Sequence, residues 1–288
     1  MLKRPLVAFP LALVGVLLFA YLALPWGITL RWRTPGRTAF MEERLREAEA
    51  RGKPLELDYR FVPLEKISPA LRRAVIVAED ARFYEHHGVD WQAIRQEVRY
   101  QGDTIFHWTD ARDLKALAEA IQYYRAHKDR IRGRSTITQQ LAKNLYFSGD
   151  RSLVRKAAEL VVARRLERTL SKDRILELYL NTAEWGPGIF GAEAAARTYF
   201  GRSAADLTRE QAAALAATLP HPLTSNPKHR PGRMEWRKRM ILDRIAGKGK
   251  VETVPLAPQE VEVPDIEVPR VKLPGVEVPP AVPDSAKG

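Results

Sequence analysis

Cysteine is absent from all 288 residues. Its absence excludes a disulfide framework, thiolate nucleophiles and cysteine-based metal sites, and is compatible with an oxidising compartment without demonstrating one. Charge is absent over one long stretch: no Asp, Glu, Lys or Arg occurs from Pro5 to Leu30. Zinc-ligand spacing, RNP-like aromatic motifs and an evident recognition helix are also lacking, so the basic character of the chain does not point to nucleic acid. Strand-like alternation is scarce as well. It is confined to Leu55, Leu57, Tyr59 and Phe61, which alternate with Glu56, Asp58 and Arg60 and predict one half-buried strand.

The charge-free stretch is the first positive feature. Leu6 to Leu24 is nearly all Leu, Val, Ala and Phe, long enough to cross a bilayer core as a helix. Lys3 and Arg4 precede it, and Trp26 stands where an interfacial anchor belongs. A cleaved signal peptide is the competing reading, against which stand the length of the run and the lack of a small-x-small cleavage site. Arg31, Arg33 and Arg37 follow the span and oppose the positive-inside signal of Lys3 and Arg4, so charge alone does not orient it.

Net charge +12 and a pI near 9.9 call for an anionic partner: nucleic acid, an anionic membrane surface or a phosphorylated substrate. With 45% apolar residues, and both ends set aside, about 200 residues remain for one core. Thr38 to Arg51 reads as a short charged helix stopped by Gly52. From Ser68 to Ala246 the pattern is helical with short breaks, including a capping box at Thr208 and Gln211 and a last helix from Met234 stopped by Gly247. Past Lys250 a five-residue repeat places Pro264, Pro269, Pro274 and Pro279, which excludes a helix and predicts an extended, solvated spacer or a strand-like docking peptide. The organisation expected is 1–30 cytoplasmic end and membrane anchor, 31–67 juxtamembrane linker and strand, 68–247 one mainly α domain, and 248–288 the proline-rich tail.

Within the domain the stretch from Ala74 to Gly88 organises the rest. Ser68 and Pro69 give a helix start, and Leu71, Ala74, Val75 and Ala78 repeat at helical spacing up to Glu79 and Asp80. An apolar face therefore leads into two carboxylates, with Phe83 and His86 following and Gly88 closing the turn. Further on, Arg155 and Lys156 lie four and three residues before Glu159, on one helical face, a spacing that also suits an ordinary surface salt bridge. Ser135, Thr136, Gln139 and Gln140 open another helix, where free N–H groups suit phosphate or sugar; capping and core hydrogen bonding is the plainer alternative.

Five ordered motifs collect these residues: E-D-x-x-F-x-x-H-x-G at Glu79 to Gly88, G-R-S-T-I-T-Q-Q at Gly133 to Gln140, R-K-x-x-E at Arg155 to Glu159, K-x-x-I-L-E-x-Y-L-N at Lys172 to Asn181, and G-x-G-I-x-G-x-x-A-A-A at Gly186 to Ala196. Over roughly residues 60 to 245 the chain resembles the peptidoglycan glycosyltransferases of family 51, found as monofunctional enzymes and as the first domain of bifunctional penicillin-binding proteins. Arg134 departs from the pattern, standing where the family usually has a second glycine or a small residue. The resemblance implies a mainly α fold, lysozyme-like in one lobe with a smaller membrane-proximal lobe, preceded by one transmembrane helix.

The activity it implies is polymerisation of lipid II into β-1,4-linked glycan strands on the outer face of the cytoplasmic (inner) membrane, with release of undecaprenyl pyrophosphate. By resemblance Glu79 is the general base and Glu159 the second acid. Asp80, Phe83, His86, Ser135, Thr136, Gln139, Gln140, Lys143, Arg151, Arg155 and Lys156 belong to the substrate site, the last group of cations gripping phosphates. No tightly bound cofactor is implied; a divalent cation, Mg2+ or Mn2+, is compatible with Glu159 at the pyrophosphate. Partners are lipid II, the growing glycan, the membrane and cell-wall synthesis proteins. A lytic, lysozyme-like glycosidase shares a helix-end Glu and a mostly α fold but does not require the basic cluster; an inactive membrane scaffold is the other alternative. The lone S-x-x-K match, Ser225 to Lys228, encloses Pro227 and lacks a K-T-G partner, so no transpeptidase half is expected.

One segment falls outside the motifs. Leu114, Leu117, Ala118, Ile121 and Tyr124 share a helical face after a Phe106-His107-Trp108 cluster, in a stretch (99–130) longer than the family pattern. It reads as an inserted surface helix, or as a flap over the cleft or at the membrane.

Overall fold

The computed structural model describes residues 4–127, 135–149 and 152–248, with side chains from residue 14 onwards. Gly133, Arg134, Arg151 and the proline repeat lie outside the described residues. The described chain is mostly helical.

Helix α1 (Arg4–Ala23) carries the apolar run, and the window Val14–Arg31 has mean hydropathy 1.6. Its Leu17, Leu18 and Phe19 are more than half exposed, which is unlike the buried helix of a soluble core and suits a bilayer. Two arginines tie its end to the domain. Arg165 donates to the carbonyls of Tyr21 and Leu24, its guanidinium 4.3 Å from the Tyr21 ring centre and 4.1 Å from that of Trp26. Arg174 donates to the Leu30 and Arg33 carbonyls, each at 2.8 Å.

Helix α2 (Ala39–Ala50) is capped by the Thr38 hydroxyl, and β1 (Asp58–Tyr59) follows. The strand is much shorter than the alternation from Leu55 to Phe61 predicts. Its parallel partner supplies only two residues, so the ladder cannot continue. Helix α3 (Pro69–Glu79) starts as expected, with the Ser68 hydroxyl accepting from Leu71 N–H and Pro69 in the first turn, and it buries Leu71, Ala74, Val75 and Ala78. Such a cap is worth about 1 kcal/mol.

Helix α4 (Trp91–Glu97) is capped by Asp90, and the insertion then forms α5 (Ala111–His127). Helices α6 (Ile137–Tyr146), α7 (Leu153–Thr169) and α8 (Lys172–Thr182) pack together, the first against both others. Strands β2 (Glu184–Gly186) and β3 (Ile189–Phe190) complete a three-stranded sheet in the order β1, β3, β2. At Gly188, φ is +72° and a Cβ would meet the Glu56 carbonyl at 2.5 Å, so only glycine lets the 56–60 segment lie this close. Asn181 locks the same region, exchanging two 2.9 Å hydrogen bonds with the Val62 backbone, while Glu177 accepts from Leu64 N–H at 2.7 Å. Asn181 is fully buried and Glu177 half-buried, so the fourth motif contributes polar anchors that hold the 62–64 backbone.

Helix α9 (Ala192–Phe200) leads to α10 (Arg209–Thr218), where the capping box of Thr208 and Gln211 is present. Residues Ala212 to Thr218 of α10 are all buried, and their side chains, small except for Leu215, let α3 and α11 (Gly232–Ile245) pack against it. That sandwich brings the C-terminal end of α3, with Glu79, against α11.

Candidate active site

Glu79 and Asp80 leave α3 in different directions. The Glu79 carboxylate is mostly buried, its side chain 12% exposed, and both oxygens are engaged. Oε1 accepts from Arg237 Nη2 at 2.7 Å and Oε2 from Gln140 Nε2 at 3.1 Å. Arg237 also donates to the Ala78 carbonyl at 3.0 Å, which fixes the guanidinium at the helix end. Tyr179 donates to Gln140 Oε1 at 2.9 Å and so sets the amide with its nitrogen toward Glu79. Burial, reinforced by the Glu79 charge, pushes the Tyr179 phenol well above its ordinary pKa and keeps it a donor.

Asp80 turns inward. Its oxygens lie 2.8 and 3.0 Å from His86 Nε2, and Oδ2 also accepts from Ile137 N–H at 3.0 Å, at the start of α6. An anion at a helix N-terminus meets unpaired N–H groups and the positive end of the helix dipole. Phe83 is fully buried, with Lys172 Nζ 4.4 Å from its ring centre and the His86 ring edge-on. Thr136 caps α6 by accepting from Gln139 N–H, and its hydroxyl donates to the Gly88 carbonyl at 2.7 Å; Gln139 Nε2 reaches the same carbonyl at 3.1 Å. For Thr136 and Gln139 this is the capping and core hydrogen bonding named above as the alternative. Asp80, Phe83, His86, Thr136 and Gln139 therefore form a buried bracket that holds the 80–88 loop to α6 beneath Glu79.

The second acid is not a surface ion pair. Glu159 is 2% exposed and accepts from Arg155 and, at 3.2 Å, from Lys156 Nζ. Lys156 donates in turn to the Ser135 hydroxyl at 2.9 Å, and Gln140 Nε2 reaches the Ser135 carbonyl at 3.2 Å. A continuous polar chain thus runs from Glu79 through Gln140, Ser135 and Lys156 to Glu159. Burial pulls the Lys156 ammonium below its ordinary pKa, with the charges of Arg155 and Lys143 adding to the effect. Lys143 lies 5.2 Å from the Phe40 ring centre, and its charge is felt by the buried Glu184, whose pKa burial raises. Among the described residues, the acids and histidines close enough to share an ion are Asp80, His86 and Asp90, and Glu159 is not with them. Among the described residues Glu159 stands in no such group, and its carboxylate is shared by Arg155 and Lys156.

Comparison with known proteins decides the family. A family model described as Transglycosylase matches residues 50–104 and 93–246. A biosynthetic peptidoglycan transglycosylase of Bordetella avium is 48% identical over 217 residues, covering 74% of this chain and 81% of the relative. Proteins of the same name from Thiobacillus denitrificans (43% over 213 residues, 74% and 82%) and Neisseria gonorrhoeae (38% over 242 residues, 83% and 92%) are also similar. The chain belongs to the transglycosylase family.

Two residues of this transglycosylase site escape a reading of the sequence. Arg237 sits in the basic run R-K-R at 237–239, where composition does not single it out. Its position does: Arg237 falls on the stripe of Met234 and Ile241, the three buried residues of α11, and an arginine on a buried stripe requires a carboxylate. Tyr179, between Leu178 and Leu180 in the fourth motif, is buried as core, but its hydroxyl donates to Gln140 Oε1 and so sets the amide that meets Glu79.

Proposed function

We propose that this chain is a membrane-anchored peptidoglycan glycosyltransferase that extends glycan strands from lipid II, with Glu79 as general base. The observation that carries the reading is the pairing of a fixed, near-buried carboxylate with a cation-lined second site on one hydrogen-bonded chain. Glu79 takes the proton of the acceptor's 4-hydroxyl as that oxygen attacks the anomeric carbon of the donor. The bond to the pyrophosphate oxygen breaks with inversion from α to β, and undecaprenyl pyrophosphate departs. A pyrophosphate leaves as a stable anion, so cations matter more there than a proton donor. Arg155, Lys156 and Lys143 supply them, with Arg151 adjoining in sequence, and Ser135 contributes a hydroxyl. Glu159 holds Arg155 and Lys156 in place, and no step requires a metal. Arg237 and Gln140 fix the rotamer of Glu79, and the bracket of Asp80, Phe83, His86, Thr136 and Gln139 fixes its loop.

Helix α1 serves as the single-pass anchor, and the use of lipid II as substrate calls for the domain on the extracytoplasmic face of the cytoplasmic membrane, where cell-wall synthesis proteins are also met. The test is polymerisation of purified lipid II by the intact chain and by Glu79→Gln, with products resolved by length. Long lipid-linked strands that disappear in the variant support the reading. Cleavage of preformed glycan without elongation would replace it with a lytic glycosidase.

A further inference from the structure

A cavity of about 990 Å³ opens beside the Asp80–His86 pair; His86 of the bracket lines it, and no residue of the Glu79–Glu159 chain does. One wall is the 82–92 loop and α4, another is Arg164 of α7, and a third is the start of the insertion at Arg99 to Thr104. Four guanidiniums line it, from Arg82, Arg95, Arg99 and Arg164, against a single carboxylate from Asp90. Arg82 is shared between Glu85 and Asp90. Arg95 donates to the Gly102 carbonyl and stacks over Tyr100, and Arg99 stacks over Tyr123 of α5. Among the described residues, Arg95, Arg99 and Arg164 form no ion pair. His86 is 7% exposed; Asp80 engages its Nε2, while its Nδ1 is buried without a partner. Arg99 is held at φ +55°, a conformation that side-chain-bearing residues rarely adopt.

The cavity also has a position relative to the bilayer. Arg164 immediately precedes Arg165, whose guanidinium holds the last carbonyls of α1 beside Tyr21 and Trp26. Trp91, which lines the cavity, is 61% exposed, and Ile94, Ile105 and Trp108 near it in sequence are exposed as well. Uncompensated arginines with exposed tryptophans at the end of a membrane helix match the chemistry of a phosphodiester with acyl chains attached. The geometry points to a binding site for the phosphate head group of an anionic membrane lipid, separate from the catalytic cleft and built in part by the insertion. The head group sits among Arg95, Arg99 and Arg164, and the acyl chains leave along Trp91 and Ile94.

The experiment is native mass spectrometry of the full chain, released from detergent micelles containing phosphatidylglycerol or phosphatidylcholine, beside the double variant Arg99→Gln/Arg164→Gln. The intact chain is expected to keep one phosphatidylglycerol in preference to phosphatidylcholine, and the variant to lose that preference by roughly tenfold. Lipid II polymerisation in lipid-free detergent serves as the folding control and is expected to be equal in both. Equal retention by chain and variant, or no preference for the anionic lipid, overturns the proposal. Displacement by excess glycerol phosphate makes the cavity a soluble-phosphate site and overturns the lipid assignment. Displacement by lipid II places it on the substrate path and overturns the separate site.

Discussion

Helices α5 and α6 follow one another in the chain, and both carry an apolar face, yet they are held in opposite ways. α6 has ten residues and buries seven of them between α7 and α8. α5 has seventeen and buries two, Asp113 and Ala120, leaving Leu114, Ile121 and Tyr124 more than 40% exposed. What fixes α5 is polar: Asp113 accepts from Tyr100 OH at 3.1 Å, Asp103 N–H at 2.9 Å and His107 N–H at 2.8 Å. Stability on the α6 side is therefore shared with the whole domain, whereas on the α5 side it is local. The proposed base and second acid stand on the first side, and the cavity proposed for lipid borrows from the second.

The largest effect expected from this contrast is chemical. Glu79→Gln keeps the shape of the α6 side and should lower the rate of lipid II polymerisation by about 10²- to 10⁴-fold, the range for a general base. Thermal unfolding should also move to lower temperature, because the variant leaves the buried Arg237 guanidinium without its carboxylate. A variant that polymerises at the native rate sinks the base assignment.

Next comes the neighbouring carboxylate. Asp80→Ala leaves His86 Nε2 and the Ile137 N–H buried without their shared acceptor, and should cost about 2–6 kcal/mol of stability in urea unfolding, about 1–3 for each orphaned group. A loss below about 1 kcal/mol would mean that the bracket is not what ties the 80–88 loop to α6.

A pH prediction sharpens the second site. The folded Lys156 pKa lies below that of an ordinary lysine chiefly because of burial. Burying the charged ammonium therefore weighs against the folded state while it is protonated, and that cost is relieved as pH rises through the folded pKa. In the proposed mechanism function runs the other way, since the ammonium is the group assigned to the pyrophosphate. KM for lipid II should rise on the alkaline side before an ordinary lysine would titrate, and Lys156→Arg should remove that rise. An unchanged alkaline limb in the arginine variant would exclude Lys156 from phosphate binding.

The same contrast explains what the sequence discloses. Caps, stops and apolar stripes are local, so Ser68, Thr38, the Thr208–Gln211 box and Gly247 can be read directly. The family follows from ordered motifs because the residues lie at fixed spacings. Whether a motif residue faces substrate or core is not local. Phe83 and His86 share a motif with Glu79 but point into the bracket, and only the packing of α6 against the loop decides that. Arg237 arrives from 158 residues away and the β3 partner of β1 from 131, contacts that spacing along the chain does not encode.

The smallest global effect belongs to Asp113. Replacing it with Ala removes the acceptor of three hydrogen bonds, two of them from backbone N–H groups, whose loss costs about 1–3 kcal/mol where the donors stay buried. On the α6 side such a loss would lower the stability of the whole domain. On the α5 side the apolar residues already face outward, so little core is exposed when the 100–107 turn opens. Amide exchange at Asp103 and His107 should therefore speed up, while the urea midpoint and polymerisation in lipid-free detergent stay at native values. The selective retention of phosphatidylglycerol should weaken, because Arg99 and Tyr100 lose the turn that holds them against the cavity. A drop in the urea midpoint comparable with that of Asp80→Ala would show that α5 is coupled to the core after all and dissolve the contrast between the two helices.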